Sequence, residues 1–331
     1  MRALVCDHWC DYDELAIGEM PAPVLRPGSV RIRVEAAGVS FSTQIVVAGK
    51  YQRKPPLPFA PGTDVAGTII EAAPDVTDLT PGMRVFAAVD WGGSAEQVVA
   101  DAIHAMPLPE PLDLAASVAL AVSYPTAAGA LIWRARLAPG DWLLVHGATG
   151  GVGLAAVEIA KAIGARVIAR AGAAKHAALT ARGADAVLDS ARPFKDDVLR
   201  ISGGGVQAVL DPLGGAAFDE SLRCLAEGGT LVSIGYVSGT IPQVPANILM
   251  LKNIAAAGFN WGEYIGWSPV DNRQLHAPRA RAMWDQLIRW WQAGRISPEI
   301  HARYPLAEFR AAMAEVRARR AVGRVVLLPQ V

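Results

Sequence analysis

The chain has 331 residues, and its 31 lysines and arginines balance its 31 aspartates and glutamates. Binding to a nucleic-acid backbone requires a basic excess, so this neutrality argues against a nucleic-acid partner. Hydrophobic residues make up 52% of the chain and charged residues 19%, which excludes a disordered protein and is typical of an enzyme large enough for two domains.

Short apolar or alternating runs separated by proline and glycine fill the first third of the chain. The segment Val30–Val34 alternates apolar and basic residues, as a half-buried strand does. Val65–Ala72 and Arg84–Val89 also predict strands. Many short strands with such turns between them predict a small, barrel-like β domain.

The stretch from Leu114 to Trp133 carries no charge and is long enough to cross a bilayer. It is rich in alanine, serine and threonine and is interrupted by Pro125. We therefore interpret it as a buried helix followed by the start of the next, and we expect no membrane association.

The three cysteines, Cys6, Cys10 and Cys224, show no disulfide-framework spacing. The first residues include an acid and no apolar signal segment. Both features favour reduced thiols and a cytoplasmic location.

Strand-like and helical runs alternate in the middle of the chain, which predicts a parallel sheet with helices on both faces. The predicted strands are 142–146, 166–169, 186–188, 207–210 and 230–234, and the predicted helices are 151–163, 174–182, one near Asp197 and one near Phe218.

The regular alternation of strands and helices ends in the last part of the chain. Two helices, Arg279–Ala293 and Glu308–Arg320, and a final strand, Val325–Leu328, are predicted there. We expect these elements to fold back onto the first domain. The predicted domains are therefore 1–122 with 271–331, for the substrate, and 123–270, for a dinucleotide.

The strongest single motif is a glycine-rich turn between a predicted strand and a predicted helix. Glycines let a backbone approach a diphosphate, and the free N–H groups of a helix N-terminus hold the anion. The motif reads as a variant of the dinucleotide fingerprint, with alanine in place of its first glycine. The residues predicted to hold the coenzyme there are Ala148, Thr149, Gly150, Gly151 and Val152.

The end of the next strand bears on the choice between NAD and NADP. NAD-dependent enzymes usually place an acid there to hold the ribose 2′-hydroxyl. This chain has Arg170 and Lys175 instead, both suited to a 2′-phosphate. The pattern favours NADPH, with a solvated pair of surface cations as the alternative.

Several motifs in order resemble one family. They are Gly49–Gly62 followed by Asp64–Gly67, then Gly92–Glu96, Phe259–Tyr264 and Gly323–Leu327. The chain resembles the quinone oxidoreductase (zeta-crystallin-like) branch of the medium-chain dehydrogenase/reductase superfamily over nearly its whole length. The resemblance implies an α/β protein with a GroES-like, β-rich substrate domain and a Rossmann domain with a doubly wound parallel sheet.

The resemblance also bears on zinc. Zinc alcohol dehydrogenases of the superfamily carry a catalytic cysteine near Ser40 and a His-Glu pair near Thr63 and Asp64. Serine and threonine are poor zinc ligands, so we expect metal-free chemistry. The branch commonly has Gly-Val-Asn-x-x-Asp where this chain has Gly38–Thr43, and both the asparagine and the aspartate are replaced.

The remaining site residues follow from the resemblance and from strand ends. Tyr51 and Ser40 are the predicted catalytic residues, each a hydroxyl donor near the nicotinamide, with a packing role for Tyr51 as the alternative. Trp91 and Trp267 are candidates for an apolar acceptor pocket. Further coenzyme contacts are predicted for Tyr124, Thr126, Gly235, Tyr236, Asn260, Trp261 and Arg324.

These observations predict an NADPH-dependent, zinc-independent oxidoreductase that transfers hydride to a quinone or an α,β-unsaturated carbonyl. An enoyl-thioester reductase of the same fold is one alternative. A crystallin-like protein that binds NADPH with little turnover is another. The family resemblance implies a homodimer, for which the apolar segment Ile254–Phe259 is a candidate edge strand.

Overall fold

The computed structural model describes all 331 residues, which form two compact units. The first unit comprises Met1–Val122, Trp261–Ile288 and Pro298–Val331, and the second comprises Ser123–Asn260 and Arg289–Ser297. The sequence predicted 123–270 as the second domain, whereas in the structure residues 261–270 belong to the first unit and Arg289–Ser297 belong to the second.

The first 122 residues contain seven strands and two helices. They are β1 (Arg2–Val5), β2 (Ala16–Glu19), β3 (Ser29–Val39), α1 (Phe41–Val47), β4 (Asp64–Ala72), β5 (Arg84–Ala88), β6 (Gln97–Asp101), β7 (Ala105–Pro107) and α2 (Leu114–Ala121). The three strands predicted in this region coincide with β3, β4 and β5.

The middle of the chain alternates strands and helices, as predicted. Its elements are α3 (Ser123–Ala128), β8 (Trp142–Val145), α4 (Gly151–Ile163), β9 (Arg166–Ala171), α5 (His176–Ala181), β10 (Ala186–Asp189), α6 (Lys195–Ser202), β11 (Val206–Asp211), α7 (Gly215–Cys224), β12 (Leu225–Ser233), α8 (Ala246–Lys252) and β13 (Ala255–Gly258).

Four elements complete the chain: α9 (Arg273–Gln292), β14 (Ile300–Pro305), α10 (Phe309–Arg317) and β15 (Arg324–Leu328). Helix α9 begins six residues before the predicted Arg279, and the Asp271 carboxylate accepts the backbone N–H of its first residue, Arg273, at 3.1 Å. Strand β14, a six-residue edge strand that ends in proline, was not predicted, although Ile300, Ala302 and Tyr304 alternate with exposed polar residues.

The second unit is built on a six-stranded parallel sheet in the order β10-β9-β8-β11-β12-β13. All four residues of β8 are buried, which is typical of a central parallel strand. The strand order reverses at β8, so a ligand crevice is expected at the carboxyl ends of β8 and β11. The doubly wound Rossmann architecture predicted from the sequence is confirmed.

The first unit contains a seven-stranded sheet in the order β14-β15-β3-β4-β5-β7, with β6 also paired to β3. Its pairs are antiparallel except for β14 with β15. Val30, Ile32 and Val34 are fully buried in its core, and Arg33 between them is exposed. The alternation in the sequence therefore predicted which face of β3 is buried.

The uncharged stretch forms one long helical segment, Leu114–Arg134, with a mean hydropathy of 1.5. It passes a membrane-span test by length and composition, but 78% of that window is buried inside the protein. A buried core helix accounts for its composition.

Candidate functional site

A glycine-rich turn joins β8 to α4 in the second unit. Gly147 has a φ of 57°, in the left-handed region, and α4 begins at Gly151. A Cβ atom on Gly153 would lie 2.2 Å from the Gly147 carbonyl oxygen. Only glycine therefore allows the helix to pack this closely against the turn.

The first backbone amides of α4 are suited to hold an anion. The first N–H groups of a helix lack intrahelical acceptors, and the helix dipole places partial positive charge there. In α4 these amides include those of Gly151 and Val152, which are both half-buried. They could hold the diphosphate of a dinucleotide.

The three residues before α4 shape the turn. The Ala148 N–H donates to the Arg170 carbonyl at 3.1 Å, and the Gly150 N–H donates to the Gly147 carbonyl at 3.0 Å. The Thr149 hydroxyl accepts a hydrogen bond from the Lys175 Nζ at 3.1 Å. Ala148 and Gly150 therefore hold the turn together, and Thr149 ties it to a cation.

The Arg170 guanidinium is directed into the interior of the second unit, where the residue is only 4% exposed. Its Nη2 donates to the carbonyls of Ser190 at 3.1 Å and Arg192 at 2.9 Å, and its Nη1 donates to His146 Nδ1 at 3.2 Å. The sequence placed Arg170 against a 2′-phosphate. In the structure these donors instead hold the loop after β10.

His146 lies below the turn with no exposed surface. Because Arg170 can only donate, His146 accepts through Nδ1 and carries its proton on Nε2. That nitrogen is 2.7 Å from the Ser221 Oγ, which in turn donates to the Ala217 carbonyl at 2.6 Å. Burial and the nearby Arg170 charge lower the pKa of His146 to about 3, so the ring is neutral.

Two other cations lie near the carboxyl ends of β9 and β10. Lys175 is half-buried, and burial lowers the pKa of its ammonium group. Arg192 is exposed in the loop after β10. The Ser190 N–H donates to the Ala171 carbonyl at 2.9 Å, which joins that loop to the end of β9.

Gly235 and Tyr236 follow β12 at the same carboxyl edge of the sheet. Gly235 is half-buried and Tyr236 is 44% exposed. The Val237 N–H donates to the Pro212 carbonyl at 3.0 Å, which holds this segment beside the loop after β11. The structure thus places both residues where a doubly wound sheet binds its ligand.

In the first unit, Ser40 belongs to a cluster of hydroxyls. Its Oγ lies 2.9 Å from the Ser42 Oγ and 3.0 Å from the Thr43 Oγ1. Thr63 donates to the Asp64 carboxylate at 3.3 Å. The structure contains no group of three or more His, Cys, Asp or Glu side chains that could hold a metal ion.

Tyr51, also in the first unit, packs its ring edge-on against Trp267 at a centroid distance of 5.7 Å. Burial raises the pKa of the Tyr51 phenol, so its hydroxyl keeps its proton at neutral pH. Trp267 is anchored by a hydrogen bond from its indole Nε1 to the Val89 carbonyl at 3.2 Å. Tyr51 is therefore a half-buried hydrogen-bond donor on an aromatic support.

A cavity of about 220 Å³ opens beside Trp91 in the same unit. Most of its wall is apolar, and the contributing residues include Met20, Val24, Phe59 and Val98. Trp91 therefore lines an apolar cavity, and its role in binding an acceptor stays a prediction. Trp267 is not part of this wall but packs on Tyr51.

Comparison with known proteins identifies the family. Residues 151–274 match the model described as zinc-binding dehydrogenase, and residues 26–110 match that of the alcohol dehydrogenase GroES-like domain. Quinone oxidoreductase-like protein 2 from Bos taurus is 36% identical over 317 residues, covering 95% of this chain and 88% of that protein. This chain belongs to the quinone oxidoreductase branch of the medium-chain dehydrogenase/reductase superfamily.

Solved structures of this superfamily have the same fold as this protein along nearly the whole chain. A mycobacterial protein complexed with NADPH is 31% identical with a TM-score of 0.90, covering 99% of this chain and 100% of its own. The Thermus thermophilus quinone oxidoreductase is 32% identical with a TM-score of 0.82, at the same coverage. The chain is thus an oxidoreductase of the superfamily, and its β-rich unit contains the GroES-like domain.

Some coenzyme residues predicted from the superfamily resemblance have other partners. The Tyr124 hydroxyl donates to the Glu158 Oε2 at 2.6 Å, and both residues are buried in the second unit. Glu158 also accepts from the Arg182 guanidinium at 2.8 Å and the Ser297 N–H at 2.8 Å. The Tyr124 hydroxyl therefore joins elements of the second unit. Thr126 is half-buried in the same helix.

Arg324 and Trp261 belong to the first unit, whereas the glycine-rich turn belongs to the second. Arg324 forms a buried ion pair with Asp64, and a Cβ on Gly38 would collide with this pair. Trp261 is buried, with its ring stacked on Tyr264 at 5.2 Å. The predicted coenzyme role of Arg324 therefore has a structural alternative. Asn260 is exposed at the end of a second-unit segment.

Two residues that lie beside predicted site residues in the structure were not predicted from the sequence. Arg192 follows β10, and a cation three residues after the third strand of a Rossmann series was a usable signal. Arg53 lies two residues after Tyr51, and its ion pair with Asp90 at 2.8 Å links distant parts of the chain. Nothing in the local sequence indicated that pairing.

Proposed function

We propose that this protein is an NADPH-dependent reductase that transfers hydride to a quinone or an α,β-unsaturated carbonyl without a metal ion. The observation that carries the proposal is the glycine-rich turn at the switch point of the parallel sheet, with Lys175 bonded to it through Thr149. The likeness to a mycobacterial protein complexed with NADPH supports the same coenzyme.

The coenzyme is held in parts by this chain's own groups. The backbone amides of Gly151 and Val152 would bind the diphosphate, as helix N-termini do. Lys175 would pair with the 2′-phosphate, and Arg192 is exposed near the adjoining strand end. Gly235 and Tyr236 would line the coenzyme at the end of β12. Arg170 has a supporting role, since its Nη1 is bound to His146 and its Nη2 to two main-chain carbonyls.

Metal-free chemistry is favoured by the donor set. Where zinc alcohol dehydrogenases of the superfamily carry sulfur and imidazole ligands, this chain has the hydroxyls of Ser40 and Thr63. Neutral hydroxyls are poor ligands for Zn²⁺ compared with thiolate and imidazole. Without a Lewis acid to polarise an alcohol, a conjugated and already electrophilic acceptor is the better substrate.

The two-electron reduction requires one hydride and one proton, and the proton would come from solvent water. Bound NADPH supplies the hydride. We assign Tyr51 to donate a hydrogen bond to the acceptor oxygen, on which negative charge develops as hydride arrives. Its raised pKa keeps the phenol protonated at neutral pH. Ser40, within a chain of hydroxyls, is a second donor of the same kind.

The cavity beside Trp91 supports an apolar acceptor, but Tyr51 and Ser40 are not among the residues that line it. Its mostly apolar wall suits the flat, apolar body of a quinone or an enone. The charged residues Arg26 and Asp90 lie at its margin and pair with other residues of the first unit, so they add no net charge that would select an ionic substrate.

The test is a screen of NADPH oxidation against quinones, enones, enoyl-thioesters and saturated alcohols. We expect turnover of quinones or enones, and a Tyr51→Phe variant should lose about tenfold to a hundredfold in kcat with unchanged NADPH affinity. Tyr304→Phe, in β14, is the matched control. Turnover confined to enoyl-thioesters, or coenzyme binding without turnover of any acceptor, would replace this function with one of its alternatives.

We also propose that the protein forms a homodimer through the open edge of the second-unit sheet. Strand β13 is the edge strand, and Met250 and Leu251 just before it are 71% and 72% exposed. An unpaired edge beside exposed apolar side chains favours pairing with a second copy. Light scattering should give a dimer for the wild type and a monomer for Leu251→Glu. A wild-type monomer would contradict the proposal.

A further inference from the structure

Two arginines of the first unit share one carboxylate. The Asp90 Oδ1 accepts from the Arg53 Nη1 at 2.8 Å and from the Arg273 Nη2 at 2.7 Å. The side chains of Arg53, Asp90 and Arg273 are 23%, 18% and 10% exposed, so the group is largely shielded from water. Charge pairs in such surroundings are screened little by solvent and depend strongly on their partners.

Arg273 does not depend on Asp90 alone for its counter-charge. It also pairs with Asp271 at 2.9 Å and with Asp101, and its guanidinium occupies the space that a Cβ on Gly266 would fill. Its charge is therefore balanced by carboxylates other than Asp90. Loss of Asp90 would leave Arg273 with two acidic partners.

Arg53, in contrast, depends on Asp90 for its ion pair. It forms an ion pair with Asp90, and its Nη1 also donates to the Gly266 carbonyl. Its guanidinium carbon lies 5.4 Å from the ring centre of Trp91 and 5.6 Å from that of Trp267. The cation therefore bridges the two indoles, and Asp90 supplies its counter-charge there.

The contacts of Trp267 connect this group to Tyr51. Trp267 meets the Tyr51 ring at 5.7 Å and bonds to the Val89 carbonyl, which directly precedes Asp90. Without Asp90, Arg53 would lose its hydrogen-bonded carboxylate between the two rings, with only the more distant charge of Asp271 nearby, and would turn toward water. Trp267 would then lose the cation packed on its face, and Tyr51 would lose a fixed support.

We propose that Asp90 is a positioning residue for acceptor reduction: through Arg53 it fixes Trp267, and so orients the hydroxyl of Tyr51. The inference rests on the proposed function, in which that hydroxyl donates to the acceptor oxygen. Asp90 would thus affect the rate without contacting the acceptor, because a misplaced hydrogen-bond donor lowers the rate although every reacting group is still present.

The test compares Asp90→Asn with Asp271→Asn. Both variants remove a carboxylate from Arg273, but only the first removes the carboxylate that is hydrogen-bonded to Arg53. We expect Asp90→Asn to lower kcat for the acceptor about tenfold, and Asp271→Asn to leave it unchanged. NADPH affinity, measured by calorimetry, should be unchanged in both.

A readout independent of activity is the nitration rate of Tyr51 by tetranitromethane, followed by mass spectrometry. Asp90→Asn should speed nitration of Tyr51, and Asp271→Asn should not. Arg53→Gln serves as a second variant, should Asp90→Asn fold poorly. It should reproduce the slower turnover, and the double variant should be no slower than either single one.

Equal kcat and equal nitration in the Asp90 and Asp271 variants would overturn the positioning role. So would additive losses in the double variant. A wild-type protein that reduces no acceptor would instead refute the proposed function, and the nitration comparison alone would then decide whether Asp90 orients Tyr51.

Discussion

Arg170 Nη1 donates to His146 Nδ1 across 3.2 Å, beneath the glycine-rich turn of the second unit. This contact fixes the neutral tautomer of the histidine and occupies an arginine that the sequence assigned to the coenzyme. The same guanidinium holds the carbonyls of Ser190 and Arg192. Arg170, which the sequence predicted to bind the coenzyme, therefore supports the segments around the glycine-rich turn instead.

Replacing His146 should change how stability depends on pH. Its pKa is about 3 in the folded protein against an ordinary 6.5, so between those values the unfolded chain binds a proton that the folded chain excludes. Its stability contribution is complete above the ordinary pKa and is lost as pH falls toward the folded one, by about 1.4 kcal/mol per pH unit.

We therefore expect His146→Asn to be less stable at neutral pH but to lose less stability between about pH 7 and pH 5. Thermal unfolding at several pH values measures this, with the exposed His8→Asn as control. A pH dependence equal to that of the wild type would show that His146 is not held neutral.

Gly153→Ala should weaken both coenzyme binding and stability. Its Cβ would lie 2.2 Å from the Gly147 carbonyl oxygen, so the start of α4 must move away from the turn. We expect a cost of about 1–3 kcal/mol, measured by denaturant unfolding and by calorimetry with NADPH. Gly172→Ala is the control, because a Cβ there meets nothing within 4 Å. Equal behaviour of the two variants would contradict the close packing.

Lys175→Ala should reduce NADPH affinity about tenfold or more and leave NADH affinity unchanged, since a charge-assisted hydrogen bond to the 2′-phosphate is lost. Arg192→Ala should act in the same direction. Lys161→Ala removes a cation already paired with Asp185 and is the control. Calorimetry with both coenzymes measures the preference. Equal losses for NADPH and NADH would place Lys175 away from the 2′-phosphate.

Tyr124→Phe should cost stability rather than coenzyme affinity. The lost hydroxyl donates to buried Glu158 at 2.6 Å, and that carboxylate keeps Arg182 and the Ser297 N–H as partners. We expect about 1–3 kcal/mol of destabilisation from denaturant unfolding. Weaker NADPH binding at unchanged stability would instead support the nicotinamide contact predicted from the sequence.

Much of the fold was predictable because its signals are local. Continuous apolar strands such as β8, glycines at the turn before α4, and alternation along β3 each follow from a few neighbouring residues. The start of α9 was misplaced: the helix begins at Arg273 and contains Pro278, whereas the predicted helix began one residue after that proline. Strand β14 lacked any apolar run.

The site was less predictable because side-chain direction depends on distant partners. Arg170 and Lys175 are close in sequence, yet one guanidinium is buried against the loop after β10 and the other cation lies at the turn. The Asp64–Arg324 pair joins residues 260 positions apart. Sequence patterns predicted which segments carry cations and hydroxyls, but not which of these side chains would form buried hydrogen bonds with other parts of the chain.

The central claim is that this chain binds NADPH through its 2′-phosphate and reduces conjugated acceptors without a metal. The most direct measurement is the rate of NADPH and NADH oxidation with a quinone and an enone, each with and without a strong chelator. We predict turnover that prefers NADPH and is unaffected by the chelator. Equal rates with NADH, or activity on saturated alcohols that the chelator abolishes, would contradict it.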